Sequence, residues 1–445
     1  LIHVRKGIVY ALIVSMLTTV FLFQNPQKAD AALDLQAESA ILVEMSTGKI
    51  LYEKQADAML EIASMSKMMS EYLILEAVSE GKIKWDQTVP ISDHVRQLSL
   101  YTQLSNVPLR QDETYTVKEL YESVAIYSAN ASTIALAELI AGSETNFVKM
   151  MNDKAEELGL EDYHFVNSTG LNNSDLLGKH PEATDANDEN RLTARATAKL
   201  AYHLLHDHPE VLDTASIPFK VFKEGTEDAI DMENWNWMLK GIRPQHDYDG
   251  VDGLKTGYTT NAGNAFTGTA ERDGMRLITV VMRTKTREDR FNETKKLLDY
   301  GYNNFELREV LASGVKVAGH ETLPVSIGKE KEVGISTNAP LITVVKKGED
   351  KQFTPVFTVD ETKLNEHGEL LAPVEAGEVV GSVSLKSDTE DEGSYLISGN
   401  KEQVDVVTDN EVEKAGWFKR IMRGIGGFFS SIWTSVADMV KGWFS

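Results

Sequence analysis

Ser64-Met65-Ser66-Lys67 opens the stretch that decides the fold of this chain. From Ser64 to Ser79 the apolar residues Leu73, Ile74, Ala77 and Val78 recur at helical spacing, which predicts a helix with one face in the core. Two further segments stand downstream: Ser128-Ala129-Asn130, between two helical stretches, and Lys255-Thr256-Gly257, leading into a sheet. Each is common by chance. Their order and settings (helix start, helix–helix connection, strand) make them a set.

Upstream of Ser64, Ala40–Met45 and Ile50–Gln55 flank Ser46-Thr47-Gly48-Lys49, a hairpin signal. Downstream, helical patterns recur at Val117–Ile126, Ser132–Ile140, Glu144–Leu158 and Thr193–His206, with Thr193 placed as an N-cap. Asn172 to Asn190 is rich in Asn, Asp, Glu and Gly and reads as a long solvated acidic loop. Hard cations take carboxylate ligands, but this spacing matches no metal motif. Sheet returns after Asp252. Ala265–Ala270 and Met275–Met282 flank Glu271-Arg272-Asp273-Gly274 as a second hairpin, and a helix is expected from Glu288 to Tyr302. From Leu307 to Val407 short apolar runs alternate with turn residues, for example Val315-Lys316-Val317, Leu341–Val345, Phe353–Val359 and Val379–Leu385. That is an all-β pattern, so a domain boundary is placed near Glu306. Ser387–Glu392 reads as an acidic loop within this second domain.

Composition sets the outer limits. A hydrophobic share of 42% with 25% charged residues is globular, and 445 residues suffice for two or three domains. A net charge of −23 argues against a nucleic-acid partner, since phosphate binding needs a basic surface. The absence of cysteine excludes disulfides, thiolate zinc sites and a cysteine nucleophile. Arg5 and Lys6, the apolar run Gly7 to Phe23 and Ala29-Asp30-Ala31 have the layout of a secretory signal peptide covering 1–31, which predicts export. At the other end Trp417, Phe418, Ile421, Met422, Ile425, Phe428, Phe429, Ile432 and Trp433 lie on one face. Lys414, Lys419, Arg420, Arg423 and Lys441 lie off it. Residues 414–445 are therefore expected to lie in a membrane surface as an amphipathic helix.

The three segments carry a definite chemistry. A serine hydroxyl needs a base to attack near neutral pH. Residues three apart on a helix share a face, so Lys67 reaches Ser64. Burial beside a second cation, which Lys255 would supply, lowers a lysine's pKa and releases its lone pair. Ser128 is placed to relay a proton and the Asn130 amide to hold a substrate backbone. Taken singly, Ser64 reads as an N-cap, Lys255 as a surface lysine and Asn130 as a loop cap. Ser66 points elsewhere on the helix than Lys67, and His164, a conceivable base, reads as structural.

The set S-x-x-K, S-A-N and K-T-G resembles that of the low-molecular-mass penicillin-binding proteins, the serine D-alanyl-D-alanine carboxypeptidases. Phe165-Val166-Asn167-Ser168-Thr169-Gly170-Leu171, the β-rich second domain and the amphipathic end resemble the same family. The resemblance implies an α/β (α+β) β-lactamase/transpeptidase-like domain over 32–306, with an antiparallel sheet flanked by helices. A small all-β domain over 307–410 and an amphipathic helix over 411–445 would follow. It implies Ser64, Lys67 and Ser128 as catalytic residues and Asn130, Lys255, Thr256, Gly257, Tyr258 and Thr259 as substrate-binding residues. Backbone N–H groups of Ser64 and Tyr258 would form the oxyanion hole. Lys255 and the hydroxyls of Thr256 and Thr259 would hold the terminal carboxylate. No cofactor or metal is implied. The implied partners are peptidoglycan stem peptides ending in D-Ala-D-Ala, and β-lactams as covalent inhibitors. A β-lactamase is the nearest rival, but no E-x-x-L-N segment lies between Asn130 and Lys255. A transpeptidase differs only in whether an amine takes the acyl group. A non-catalytic peptidoglycan sensor would have no need of the intact Ser64, Lys67 and Lys255.

Overall fold

A computed structural model describes residues 33–349, 352–387, 394–397 and 402–416. The N-terminal apolar run and the tail from Trp417 lie outside the described residues.

Five antiparallel strands form the central sheet: β1 (Ser39–Glu44), β2 (Ile50–Lys54), β3 (Val251–Thr259), β4 (Gly263–Arg272) and β5 (Met275–Thr284), in the order β2-β1-β5-β4-β3. The chain turns from β4 to β5 through Asp273 and Gly274, both at positive φ (50° and 78°). That is the backbone a two-residue hairpin turn requires. Helix α6 (Arg287–Asn304) covers one face of the sheet and α5 (Ala194–Asp207) touches it too. With helices packed on it, β1 is buried along its whole length and reads as continuously apolar from Ala40 to Val43. Strand β3 lies at the sheet's edge, paired only with β4.

Helix α1 (Lys67–Ser79) runs through the core, packed by α2 (Val117–Tyr127), α3 (Asn130–Ala141), α4 (Glu144–Glu157) and α5. The helix expected from Ser64 begins three residues later. Ala63–Ser66 form a tighter 3-10 turn, entered through Ala63 at φ +48°. Two close approaches shape that turn. A side chain at Gly170 would meet the Ala63 carbonyl oxygen at 1.8 Å, and one at Gly257 would meet the Ile62 carbonyl oxygen at 2.5 Å. Between Ile62 and Leu75, Ser64 is the single residue that is not buried. Helix α2 starts with a reciprocal cap between Thr116 and Glu119 and ends at Ser128, which takes the left-handed conformation (φ 60°, ψ 35°). Thr193 caps α5 by accepting from the Ala196 N–H, as expected.

The segment 172–190 is a long loop with many exposed residues, as expected, but it is not solvated throughout. Asn173, Glu189 and Asn190 are buried. The Asn190 side chain accepts from the N–H groups of Val166 and Asn167 and donates to the Asn167 carbonyl. Asn167 in turn donates to Asn173 at 2.9 Å. Amide side chains here replace the backbone partners that regular structure would supply.

After α6 the chain enters β structure. Phe305–Leu311 pairs with Leu341–Lys346, and a six-stranded sheet carries Phe353–Val359 and Val379–Ser387 at one side. Val325, Val333, Ile335, Val380, Val383 and Val406 form its core. Val315-Lys316-Val317 is not a strand; Val317 makes an isolated bridge to His320, and Val315 bonds to Thr337 through its N–H and carbonyl. Residues 411–416 do not begin a helix. Val412 is buried and exchanges backbone bonds with Val374, and the Ala415 N–H donates to the Ile327 carbonyl at 2.8 Å. The β domain therefore continues past the boundary expected at 410. Residues 394–397 return to the first domain. Ile50 N–H donates to Ser394 and Leu396 N–H to Gly48, each at 2.8 Å, and Leu396 joins the core that contains α1.

Candidate active site

The 3-10 turn, the α2–α3 junction and the edge strand β3 bring the three sequence segments together. Lys67 is fully buried, yet its Nζ lies 3.0 Å from Ser64 Oγ. The same Nζ donates to Asn130 Oδ1 and to the Thr169 carbonyl, each at 2.7 Å. Asn130 Nδ2 donates to the Ser105 carbonyl at 2.9 Å, which fixes the amide with its oxygen toward Lys67. Two of the three partners of Nζ are thus pure acceptors. A neutral amine has two hydrogens for them and keeps its lone pair for the Ser64 hydroxyl. Burial holds Lys67 well below the usual lysine pKa, and the Lys255 charge lowers it further. Ser66, the neighbouring hydroxyl, is buried and donates to the Ala63 carbonyl at 2.7 Å.

Lys255 Nζ donates to Ser128 Oγ at 2.9 Å. The left-handed backbone at Ser128 turns the chain between the two helices, and Ala129, the next residue, is fully buried. Lys255 is buried and pushed down to about 8, chiefly by desolvation, with the Arg290 cation lowering it further against the pull of Glu71. Below that value it is an ammonium. Thr256 is buried beside it, Gly257 supplies the close approach to the Ser64 turn, and Tyr258 is 55% exposed.

Thr259 is committed elsewhere. Its hydroxyl donates to Glu189 at 2.7 Å and accepts from the Ala262 N–H at 3.0 Å. A hydroxyl has one hydrogen to give, so this arrangement does not offer Thr259 to a substrate carboxylate. His164 is paired with Asp188 at 2.8 Å and makes no hydrogen bond to Ser64, Lys67 or Lys255. Among the described residues no group of three or more His, Asp or Glu side chains is gathered as a metal would need.

Sequence reasoning missed several residues here. Ser105 and Asn106 brace the α2–α3 junction: Asn130 N–H donates to the Ser105 carbonyl at 3.0 Å, and Ala131 N–H to Asn106 at 2.8 Å. Glu189 anchors the end of β3 through Thr259 and Asn261. Arg290, 2% exposed, donates to the Gly257 carbonyl at 3.3 Å. Burial pushes it down to about 9, so it remains cationic at neutral pH beside the K-T-G strand. None of these carried a sequence signal: Arg290 is one of many charged residues on its helix.

A buried lysine aimed at one accessible serine, beside a Lys-Ser pair and an open strand edge, defines a serine acyl-transfer enzyme of the penicillin-binding type. The chain belongs to the D-alanyl-D-alanine carboxypeptidase family: the model of that family matches residues 25–286, and that of the penicillin-binding protein 5 C-terminal domain matches residues 305–414. It is 32% identical over 399 residues to the D-alanyl-D-alanine carboxypeptidase DacF of Bacillus subtilis, covering 90% of this chain and 92% of that protein. With DacC of Escherichia coli it shares 30% over 415 residues, 93% and 90% of the two chains. Among solved structures it is similar to a peptidoglycan synthesis regulatory factor (PBP3) of Streptococcus pneumoniae. The TM-score is 0.76 at 35% identity, over 85% of this chain and all of that one (100%). It is also similar to penicillin-binding protein D2 of Listeria monocytogenes in its ampicillin-bound form (TM-score 0.50, 33% identity, 60% and 98% coverage). The protein is a serine-type D-alanyl-D-alanine carboxypeptidase with the α/β domain and C-terminal β-sheet domain of penicillin-binding proteins, as the sequence implied.

Proposed function

We propose that Ser64 is the nucleophile that removes the terminal D-alanine from peptidoglycan stem peptides, and that penicillin acylates the same oxygen. The observation that carries this reading is the placement of Lys67 Nζ, 3.0 Å from Ser64 Oγ with its two other partners able only to accept. Lys67 takes the hydroxyl proton as Ser64 attacks the carbonyl of the penultimate D-alanine. Ser128, bonded to Lys255, passes a proton to the leaving amine. The substrate lies along the open edge of β3, where unpaired backbone groups are available to it, and the N–H groups of Ser64 and Tyr258 receive the developing oxyanion. Asn130 positions the substrate backbone. Lys255 and Thr256 take the terminal carboxylate, with Arg290 adding fixed positive charge from beneath Gly257. D-Alanine departs and water hydrolyses the acyl-enzyme.

The chain acts after export, at the outer face of the cytoplasmic membrane, held there by residues beyond Gly416. The signal-like N-terminus and the apolar, basic C-terminal run support that location. Among the described residues no helix is long and apolar enough to cross a membrane.

Labelled penicillin tests the nucleophile. Ser64→Ala should lose covalent labelling while unfolding at the parent's temperature. An adduct that persists and maps to Ser66 or Ser128 would refute the assignment.

A further inference from the structure

Glu71 is the only acid between Lys67 and Leu75 on α1. It is 3% exposed, and its Oε1 has no hydrogen-bond partner among the described residues. It follows Lys67 by four residues, so the two side chains leave the same face of the helix. Helix α1 also meets α2, α3, α4, α5 and β3. Lys255 faces Glu71 from β3, and Tyr121 faces it from α2 with a buried hydroxyl that likewise has no partner among the described residues. Glu144 on α4 also faces Lys67; its Oε1 accepts from the Ser168 N–H at 2.9 Å and hydroxyl at 2.6 Å, while its Oε2 has no partner among the described residues. Arg290 stands beside Lys255.

A buried carboxylate with an oxygen left unbonded is costly. A position that only needed filling would take an apolar residue, as Met68, Met69 and Leu75 do around it. We propose that Glu71 is a positioning residue for acyl transfer: its carboxylate, buried one turn beyond Lys67, holds the proton on Lys255, so that Lys255 meets the substrate as an ammonium. This inference rests on the roles given above to Ser64, Lys67 and Lys255. Its electrostatics are consistent with the cluster. Burial pushes Glu71 up to about 7 and Lys255 down to about 8, and each charge restrains the shift of the other. Between those values the carboxylate and the Lys255 ammonium coexist. Removing the anion leaves Lys255 beside Arg290 and Lys67 beside Lys255 with less to hold their protons, so both lysines titrate at lower pH.

The experiment is the pH profile of acylation by a labelled penicillin for the parent, Glu71→Gln and Glu71→Asp, with rates expressed per labelled site so that only folded enzyme counts. In Glu71→Gln both limbs should move to lower pH. A shift of about one unit means a rate about tenfold lower on the alkaline side. Glu71→Asp, which keeps the charge, should retain the parent's limbs. Unmoved limbs in Glu71→Gln, limbs that move equally in Glu71→Asp, or loss of all labelling in both variants would overturn the proposal in favour of a structural role. Loss of labelling in Glu71→Gln alone, with parental limbs in Glu71→Asp, supports it. Failure of the underlying reading shows separately, as labelling that survives Ser64→Ala.

Discussion

Lys67 and Lys255 are both buried lysines, but the proposed mechanism uses them in opposite states. Lys67 must give up its proton to serve as a base, and arginine cannot do so near neutral pH. Lys67→Arg should therefore fail to acylate, and a labelled adduct forming at the parent's rate would remove Lys67 from the base role. Lys255 must keep its proton. Its pKa is lowered to about 8, so the ammonium is present below that value and disappears as pH rises through it. Attraction for a substrate carboxylate should fade over the same window. Measuring kcat/KM on a D-Ala-D-Ala peptide and on its terminal amide separates this from general alkaline loss. The free acid should decline more steeply above pH 8, and Lys255→Ala should reduce the free acid much more than the amide. Parallel profiles would mean that Lys255 does not recognise the carboxylate.

At the scale of elements, the active site is the meeting of a 3-10 turn with an edge strand, and Gly257 sets how closely they meet. Gly257→Ala would push a methyl group into the Ile62 carbonyl, 2.5 Å from the added carbon. The strand or the turn must then shift. A displacement of about 1 Å at a reacting centre costs on the order of 10²-fold in rate, so acylation should fall by about that factor while circular dichroism stays near the parent's. A rate within a few-fold of the parent would show that the turn yields without harm. Elements of this kind differ in how legible they are. The β4–β5 hairpin and α5 could be read because alternating or helical periodicity coincided with a turn or a cap, Asp273-Gly274 in one case and Thr193 in the other. The turn before α1 could not, because it is imposed by Gly170 and Gly257, remote in sequence from Ala63. The 172–190 segment is a long loop with many exposed residues, as read, but its buried anchors were illegible for a related reason. Its Asn residues have the composition of solvated turns, and only the folded chain shows them bonding to one another. Within the site, Ser64, Lys67, Ser128, Asn130 and Lys255 were legible as motif members. Ser105, Thr169 and Glu189 were not, since their contribution is a carbonyl or an anchoring carboxylate that no local pattern announces.

For the whole molecule, the described β domain runs to Gly416, with Ala415 still bonded to Ile327. A chain ending at Gly416 should therefore stay soluble, fold and react with penicillin, whereas one ending at Glu413 loses the Ala415 contact and should be less stable. The mature chain with its tail should float with anionic vesicles and be weakened but not released by salt, because screening removes only the charged part of the attraction. Equal flotation with and without the tail would exclude it as the anchor. Leu396 offers a second test at this scale. It belongs to the β domain's return segment yet is 2% exposed within the first domain's core. Leu396→Asp buries a charge where a leucine sat, and a loss of about 2–5 kcal/mol is expected. In calorimetry a single transition should separate into two as the domains uncouple; one cooperative transition at the parent's temperature would show that the segment does not join them. The contact has a further meaning if the enzyme is held at a membrane as proposed. Among the described residues the domains are fastened at more than one place: where Asn304 runs into Phe305, where Lys49 donates to the Val344 carbonyl, and where Leu396 docks on the β1–β2 hairpin. A body fastened at several places cannot pivot about any one of them. If the tail holds the chain at the membrane as proposed, such a molecule would act as a gauge: it would trim stem peptides at one height above the lipid, and the length of its β domain would set which stratum of the wall it reaches.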